Sequence, residues 1–348
     1  FLFNLVALLP VIYGWKEIDS RIKAVILFLS LFYLYGLVKP IMDGHQGWML
    51  SVKSSKSMTA YFFLFYVIAF YQRLDWNKIF RFVTVIAVYY AVLYLVNSVG
   101  IAIRPPFYVK QRFIQCFYDS FMLVAFCYQL TRENPFNLSN LAMLGILLGG
   151  IYVGGYFSLW VASLLILMVI FLYRKVHHPL VWMLLAASVA LLLVIGLMNE
   201  EALGAIWRER QAALESRRVY NEFRWQLIAR EFLSGYGYLS RDTRLVSLHS
   251  MTDETGYMSD LTFVDAGYVD LMGRFGLIGT ILLLLVPLYF LGMTAWNRQT
   301  VPFILMVFSF YAVNMTWSVF SYPQGIIVLA LVYAFLYQNK KLTLWQES

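Results

Sequence analysis

Arginines and carboxylates concentrate in one long polar segment, residues 199–275, and these side chains are the ones most suited to chemistry. The segment holds nine of the seventeen arginines, none of the ten lysines and twelve of the nineteen acidic residues. Nine positive against twelve negative charges give it a net charge of −3, within a chain whose total is +8. An arginine guanidinium presents a planar fork of donors that matches phosphate oxygens. Arginine without lysine therefore favours phosphate binding.

The first part of this segment, residues 204–233, predicts an amphipathic helix, because it contains no proline and only an initial glycine. Arg210, Arg217 and Arg224 recur every seven residues and therefore share one helix face. They are candidates for binding phosphate groups. The alternative is a solvated helix whose charged side chains pair at a spacing of four residues, such as Arg218 with Glu222.

The helix is expected to stop at the S-G-Y-G sequence of residues 234–237, because glycine commonly ends helices. A polar stretch follows, either an ordered loop or a lid, and it adds Arg241 and Arg244 as anion-binding candidates. It also contains His249, whose imidazole titrates near neutral pH and is a candidate general base. A solvated or structural histidine is the alternative.

Two aspartates, Asp265 and Asp270, precede the next apolar run. At a membrane edge a carboxylate serves either as a helix N-terminal residue that favours the dipole or as a catalytic base that faces a cavity. Either role is open to both aspartates. Three glycines at three-residue spacing then predict close helix packing: Gly273, Gly276 and Gly279. Four histidines in all, and no Asp-x-Asp motif, predict no metal site.

The elements that must position these residues are hydrophobic. The chain of 348 residues is 61% hydrophobic and 13% charged, with a mean hydropathy of +0.68, whereas soluble domains carry about 25% charged residues. This composition excludes a soluble enzyme, a disordered chain and a disulfide-rich secreted module. It also argues against a nucleic-acid partner, because a basic groove needs a water-soluble scaffold. A polytopic membrane protein is the class that remains.

Continuous apolar runs predict transmembrane helices and not the alternating strands of a β-barrel. Eleven candidate segments follow from the sequence: 1–14, 22–38, 58–71, 80–103, 114–130, 141–154, 157–173, 179–198, 276–296, 301–320 and 324–338. The glycines near 149–155 leave open whether 141–173 forms two helices. The chain begins inside an apolar run without methionine, so one further N-terminal helix is expected, for a total of twelve.

Lysines and arginines divide unevenly between alternate connections, twelve in one set and six in the other. The first set comprises residues 15–23, 72–81, 131–133, 174–178, 297–299 and the C-terminal tail. The second set comprises residues 39–57, 104–113, 155–156 and 321–323. The positive-inside rule places the first set in the cytoplasm and the long polar segment outside. The predicted organisation is an N-terminal transmembrane bundle (1–198), an outer loop (199–275) and C-terminal transmembrane helices (276–348).

The order of these features resembles the O-antigen ligase and polymerase superfamily, bacterial inner-membrane enzymes that act on undecaprenyl-pyrophosphate-linked glycans. The resemblance covers about residues 205–280: an arginine-rich outer helix, a G-x-G turn at Gly235 and Gly237, and a D-x-G-Y-x7-G-x-x-G pattern from Asp265 to Gly279. Ligases of this superfamily have His where Asp265 stands, and the family's proline before the G-x-G turn is absent. The aspartate favours a polysaccharide polymerase over a lipid A-core ligase.

The resemblance implies an all-α polytopic membrane protein of the GT-C type, with about 11–12 transmembrane helices and one large periplasmic loop. It also implies an inverting glycosyltransferase that needs no metal or cofactor and joins lipid-linked repeat units on the periplasmic face. Its partners would be an undecaprenyl-pyrophosphate-linked donor and acceptor, membrane lipid and a chain-length regulator protein. Arg104, Lys110 and Arg112 fit the family's basic outer loop; snorkelling from a helix end is the alternative.

In this interpretation the arginines neutralise charge on the departing pyrophosphate, and the family's upstream arginine is Arg217, Arg218 or Arg224. Asp265 or His249 takes the proton from the attacking hydroxyl. A ligase that transfers finished polysaccharide to lipid A-core is the second hypothesis. A transporter of lipid-linked glycans is the third. Transporters usually place polar sites at the bilayer midplane between internal repeats, whereas the charges here concentrate in one outer loop.

Overall fold

The computed structural model describes residues 2–98, 111–153, 157–173, 219, 221–248, 251–252, 258–259, 266–315 and 318–340. Over these residues the regular secondary structure is helical apart from one pair of two-residue antiparallel strands, β1 (Met251–Thr252) and β2 (Met258–Ser259). The all-α class predicted from the apolar runs is confirmed.

Thirteen α-helices follow one another along the described residues. The first eight are α1 (Leu2–Tyr13), α2 (Ser20–Met42), α3 (Trp48–Ser54), α4 (Ala60–Ala69), α5 (Trp76–Ser98), α6 (Gln111–Thr131), α7 (Leu138–Val153) and α8 (Phe157–Tyr173). The polar segment contributes α9 (221–228) and α10 (Arg244–Leu248). The last three are α11 (Gly267–Met293), α12 (Val301–Val313) and α13 (Pro323–Gln338). Short 3₁₀ turns flank several of them, among them Ala229–Glu231 directly after α9.

Among the residues that the structure describes, three helices are long and apolar enough to cross a membrane by themselves: Ser20–Met42, Trp76–Val96 and Gly267–Met293. Six shorter apolar helices of 10–17 residues accompany them. Most predicted segments coincide with helices, and 141–173 is two helices, α7 and α8. The segment predicted at 276–296 was wrong at its start, because the helix begins at Gly267. Segment 179–198 lies outside the described residues.

Most of the core is one large cluster of apolar side chains between these helices, and two small clusters lie apart from it, around Ile228 and around Tyr236. Helix α13 lies at its centre, where it packs against α4, α6, α11 and α12. Most of its side chains are buried, as expected of a helix that is apolar all round. Stacked rings join neighbouring helices, with Phe80 lying 5.2 Å from Tyr128 and 5.0 Å from Phe303 between ring centroids.

Polar contacts gather the connections at the two ends of α2. At its start, Asp19 pairs with Lys340, and Glu17 on the same connection pairs with Arg73. At its other end, Lys39 pairs with Glu231 of the polar segment at 3.4 Å. The first two pairs lie within the set of connections assigned to the cytoplasm, and the third joins the other set to the polar segment. Each contact therefore connects segments that the positive-inside rule places on the same side of the membrane. Because α2 has 23 residues, its two ends lie about 34 Å apart.

Candidate functional site

Helix α11 is interrupted at Gly276, and the interruption organises the site. Gly276 has φ 64° and ψ −171°, a conformation that is accessible essentially only to glycine. In an unbroken helix the amide of Leu277 would donate to the carbonyl of Gly273. Here the Leu277 amide donates to the Phe232 carbonyl at 2.8 Å instead. A break inside a buried helix therefore depends on partners from another segment.

Those partners come from the turn at residues 232–237, which contains the predicted G-x-G sequence. The amide of Tyr236 donates to the Gly273 carbonyl at 2.8 Å, and the amide of Gly237 donates to the Arg274 carbonyl at 2.9 Å. The turn thus satisfies the helix carbonyls that the break releases. Gly235 has φ 68°, as expected of a glycine that ends a helix.

The same turn is fixed against the end of α2. The Tyr35 hydroxyl donates to the Ser234 carbonyl at 2.7 Å, and the Tyr238 amide donates to the Gly36 carbonyl at 2.7 Å. The Tyr238 ring is buried beside Tyr33, with ring centroids 6.0 Å apart. The turn therefore links α2 to α11 and fixes the position of the residues that follow it along the chain.

The connection between α2 and α3 completes this assembly from a third direction. Gln46 is buried and uses both ends of its amide: its nitrogen donates to the Tyr238 carbonyl at 2.7 Å, and its oxygen accepts from the Ser240 amide at 2.8 Å. The Ser54 hydroxyl also donates to the Tyr238 carbonyl, at 2.6 Å. A buried side-chain amide whose nitrogen and oxygen are both hydrogen-bonded holds the loop in one conformation.

The end of α3, the turn with its continuation, and α11 line a cavity of about 380 Å³, called here the Arg274 cavity. Its lining comprises the turn and its continuation, residues 236–242, together with Lys53, Ser54, Gly273 and Arg274. Three of these side chains are cationic, namely Lys53, Arg241 and Arg274, and one, Asp242, is anionic. Asp242 accepts from Lys53 at 2.8 Å. Because Asp270, just outside the lining, pairs with Arg274, the site as a whole has three cations and two anions. This formal excess of one positive charge suits an anionic ligand.

Arg274 is the most constrained of the three cations. Its Nε donates to Asp270 Oδ1 at 2.8 Å, one helical turn earlier on α11. Asp270 is 3% exposed and the Arg274 side chain is 19% exposed. The guanidinium carbon lies 5.9 Å from the centroid of the buried Tyr238 ring. An ion pair this deeply buried keeps the guanidinium in one orientation, with its remaining donors beside the cavity.

Two carboxylates near the cavity are stabilised in their charged form. The hydrogen bond from Lys53 lowers the pKa of Asp242 below the ordinary aspartate range. The hydrogen bond from Ser234 lowers the pKa of Glu231, and the charge of Lys39 adds to that effect. Both acids are therefore ionised at neutral pH and serve as fixed partners of the two lysines, not as proton acceptors.

The structure brings few of the predicted site residues together. Arg241 lines the Arg274 cavity, whereas the exposed Arg244 lies on α10 and is absent from the lining. Arg224 is 5% exposed on α9, where its Nη1 donates to Asn221 Oδ1 at 3.3 Å. Arg112 belongs to α6, and its side chain is not described. The other predicted residues lie outside the described residues: Arg104, Lys110, Arg210, Arg217, Arg218, His249 and Asp265.

Two cations of the cavity, Lys53 and Arg274, escaped the sequence prediction. Arg274 stands four residues after Asp270, the spacing of a helical ion pair, but the helix was predicted to begin only at residue 276. Lys53 belongs to the second set of connections, which the charge count placed on the same side as the polar segment. A search for acid–base pairs four residues apart would have found Arg274.

No protein-family model matches this sequence, and no curated protein matches it. The class is therefore defined by the fold and the site alone. Among the residues that the structure describes, no three or more His, Cys, Asp or Glu side chains form a group able to hold a metal ion. The described residues form a helical fold whose apolar helices are compatible with a multi-pass membrane protein. One end of this fold carries a cationic cavity.

Proposed function

We propose that the chain is an inverting, metal-independent glycosyltransferase of the GT-C type. In this proposal it polymerises undecaprenyl-pyrophosphate-linked oligosaccharide repeat units into O-antigen or another surface polysaccharide. The single observation that carries the proposal is the Arg274 cavity. Its three cations stand beside the G-x-G turn and the interrupted helix that follows it. These are the elements on which the resemblance depends.

The chemistry needs positive charge where the leaving group departs. Breaking the bond between the sugar and the lipid pyrophosphate leaves charge on phosphate oxygens, and guanidinium and ammonium groups that are already in position stabilise it. Arg274 is held by Asp270, so little reorganisation accompanies binding. Lys53 and Arg241 lie at the same cavity and would contact the remaining phosphate oxygens.

Proton removal from the attacking sugar hydroxyl is assigned to Asp265, with His249 as the second candidate. Asp270 is unsuited to this role, because its carboxylate is buried and paired with Arg274. Arg217, Arg218, Arg224, Arg210, Arg112, Arg104, Lys110 and Arg244 remain proposed contacts to pyrophosphate or glycan.

The proposed setting is the bacterial inner membrane, with the Arg274 cavity facing the periplasm. Eleven or twelve transmembrane helices, a chain-length regulator as partner, and lipid-linked donor and acceptor belong to the same proposal. The grouping of connections at the two ends of α2 supports it, because the end with the Arg274 cavity carries the set poorer in lysine and arginine.

The test is to incubate purified protein with one lipid-linked repeat unit and separate the products by size. A ladder of polymers is expected, and it should persist with a chelator present. Arg241→Gln should lower the initial rate at least tenfold, since one removed donor at a developing anion typically costs that much or more. Lys78→Gln is the control, because Lys78 is 84% exposed at the other end of the fold.

Several outcomes would contradict the proposal. No ladder from active, folded protein would refute polymerisation. Transfer of polysaccharide to lipid A-core without a ladder would indicate the ligase instead. Loss of the ladder with chelator, restored by a divalent cation, would contradict the metal-independent mechanism.

A further inference from the structure

A second polar cleft lies at the end of the fold opposite the Arg274 cavity. It is a cavity of about 570 Å³ between the start of α5, the end of α6 and the connection that follows α6. Its side chains are rich in amides and include two arginines: Asn77, Asn137, Asn140, Gln299, Arg81 and Arg132. We call it the amide cleft. A smaller cavity of about 340 Å³ shares Asn77, Tyr128 and Gln299 with it.

The charge of the amide cleft favours an anion. Its lining contains Arg81 and Arg132 against one acid, Glu133. Within the described part of the chain, Arg81 forms no ion pair. The Arg132 guanidinium lies over the Tyr128 ring at 5.6 Å. The backbone carbonyl of Arg132 accepts a hydrogen bond from the Arg298 side chain at 2.7 Å. Guanidinium forks and amide donors together match a phosphate and adjacent hydroxyl groups.

The position of the cleft adds an apolar requirement. Arg81 lies on α5 near the start of the candidate span Trp76–Val96. Val85, Tyr89 and Val92 lie within about 80° of Arg81 around the helix, and they are 68%, 49% and 41% exposed. One helix face therefore begins with a guanidinium at the cleft and continues as an exposed apolar stripe.

We infer that the amide cleft binds the headgroup of an anionic glycerophospholipid such as phosphatidylglycerol. The phosphate lies between Arg81 and Arg132, the amides take the headgroup hydroxyls, and the acyl chains follow the stripe from Val85 to Val92. Basic pockets between transmembrane helices recognise anionic headgroups in this way. This inference is independent of the proposed function, because it uses no residue of the Arg274 cavity.

The experiment measures lipid binding to the purified full chain in detergent by native mass spectrometry. Phosphatidylglycerol should bind more tightly than phosphatidylcholine with the same acyl chains. Arg81→Gln and Arg132→Gln should each weaken phosphatidylglycerol binding about fivefold, the loss expected for one basic side chain at an anionic surface. Arg73→Gln is the matched control, an exposed arginine at the same end of the fold that pairs with Glu17 outside the cleft.

Glycerol 3-phosphate distinguishes a lipid from a soluble phosphate. Added in large excess, it should leave phosphatidylglycerol bound. Val85→Asn should weaken the binding of phosphatidylglycerol without changing the binding of glycerol 3-phosphate. Equal losses in the Arg81→Gln and Arg73→Gln proteins would overturn the inference, as would the absence of any preference over phosphatidylcholine. Efficient displacement by glycerol 3-phosphate would assign the cleft to a soluble ligand. Unchanged melting temperatures verify that the variants are folded, since both arginines are exposed.

Discussion

Replacing Gly276 by alanine tests how the turn at 232–237 and helix α11 depend on each other. Gly276 has φ 64° and ψ −171°, a region that costs about 1–3 kcal/mol for a residue with a side chain. The added methyl would also lie 2.5 Å from the Ser234 amide nitrogen and closer still to the Leu233 carbonyl. Relieving such overpacking costs a further ~1–3 kcal/mol. The substitution should therefore destabilise the fold by about 2–6 kcal/mol.

Gly273→Ala is the matched control, three residues away in the same helix. Its methyl would meet only Ile228, at 3.9 Å, which is an ordinary van der Waals contact. Alanine is favoured over glycine in a helix by about 1 kcal/mol. This variant should therefore melt at the wild-type temperature or slightly above it.

The assay is thermal unfolding in detergent followed by tryptophan fluorescence, together with hydrogen exchange of the turn. At roughly 2 °C per kcal/mol for a chain of this size, Gly276→Ala should lower the melting temperature by about 4–12 °C. The amides of Tyr236, Gly237 and Leu277, which bridge the two segments, should lose protection first. Equal melting temperatures for the two variants, or unchanged protection of these amides, would refute the proposed dependence.

Three further predictions follow from the same contacts. Asp270→Asn should destabilise the protein by about 3–5 kcal/mol because it leaves Arg274 buried without its charged partner; a melting temperature within 2 °C of wild type would contradict this. Glu231 has a lowered pKa, so its contribution to stability is complete above the ordinary value of 4.5 and is lost as pH falls through the lower folded value. Between pH 6 and pH 3 the melting temperature should therefore fall less steeply for Glu231→Gln than for wild type. An equal fall in the two proteins would count against the contact. Lys53→Gln should increase hydrogen exchange in residues 240–243, because it removes the 2.8 Å bond to Asp242, whereas Lys56→Gln should leave exchange there unchanged.

Much of the fold was predictable, because apolar runs and helix ends are local signals. The runs matched α2, α5, α7, α8 and α13. Gly235 has the positive φ of a predicted helix stop, although α9 itself ends earlier, at residue 228. The start of α11 was missed for a physical reason. Residues 267–275 contain Asp270 and Arg274, and two charges lowered the apparent hydropathy of a stretch that is helical and largely buried. Their mutual pairing offsets much of the desolvation cost.

The site was less predictable, because its parts come from distant segments. The Arg274 cavity joins residue 53 to residues 236–242 and 273–274, and hydrogen bonds to backbone carbonyls of α2 and α11 set that arrangement. No spacing pattern in the sequence encodes such contacts. Arg241 was predicted because arginine density marked its segment, whereas Lys53 carried no local signal beyond the charge count.

The most direct test of the central claim is the affinity of the Arg274 cavity for the lipid pyrophosphate. Binding of undecaprenyl pyrophosphate should be measured by microscale thermophoresis for the wild type and for Lys53→Gln, Arg241→Gln and Lys78→Gln. The two cavity variants should raise Kd about tenfold each, as expected for a lost charge-assisted hydrogen bond, while Lys78→Gln binds as wild type does. Equal Kd values across all four proteins would contradict the assignment of this cavity to pyrophosphate.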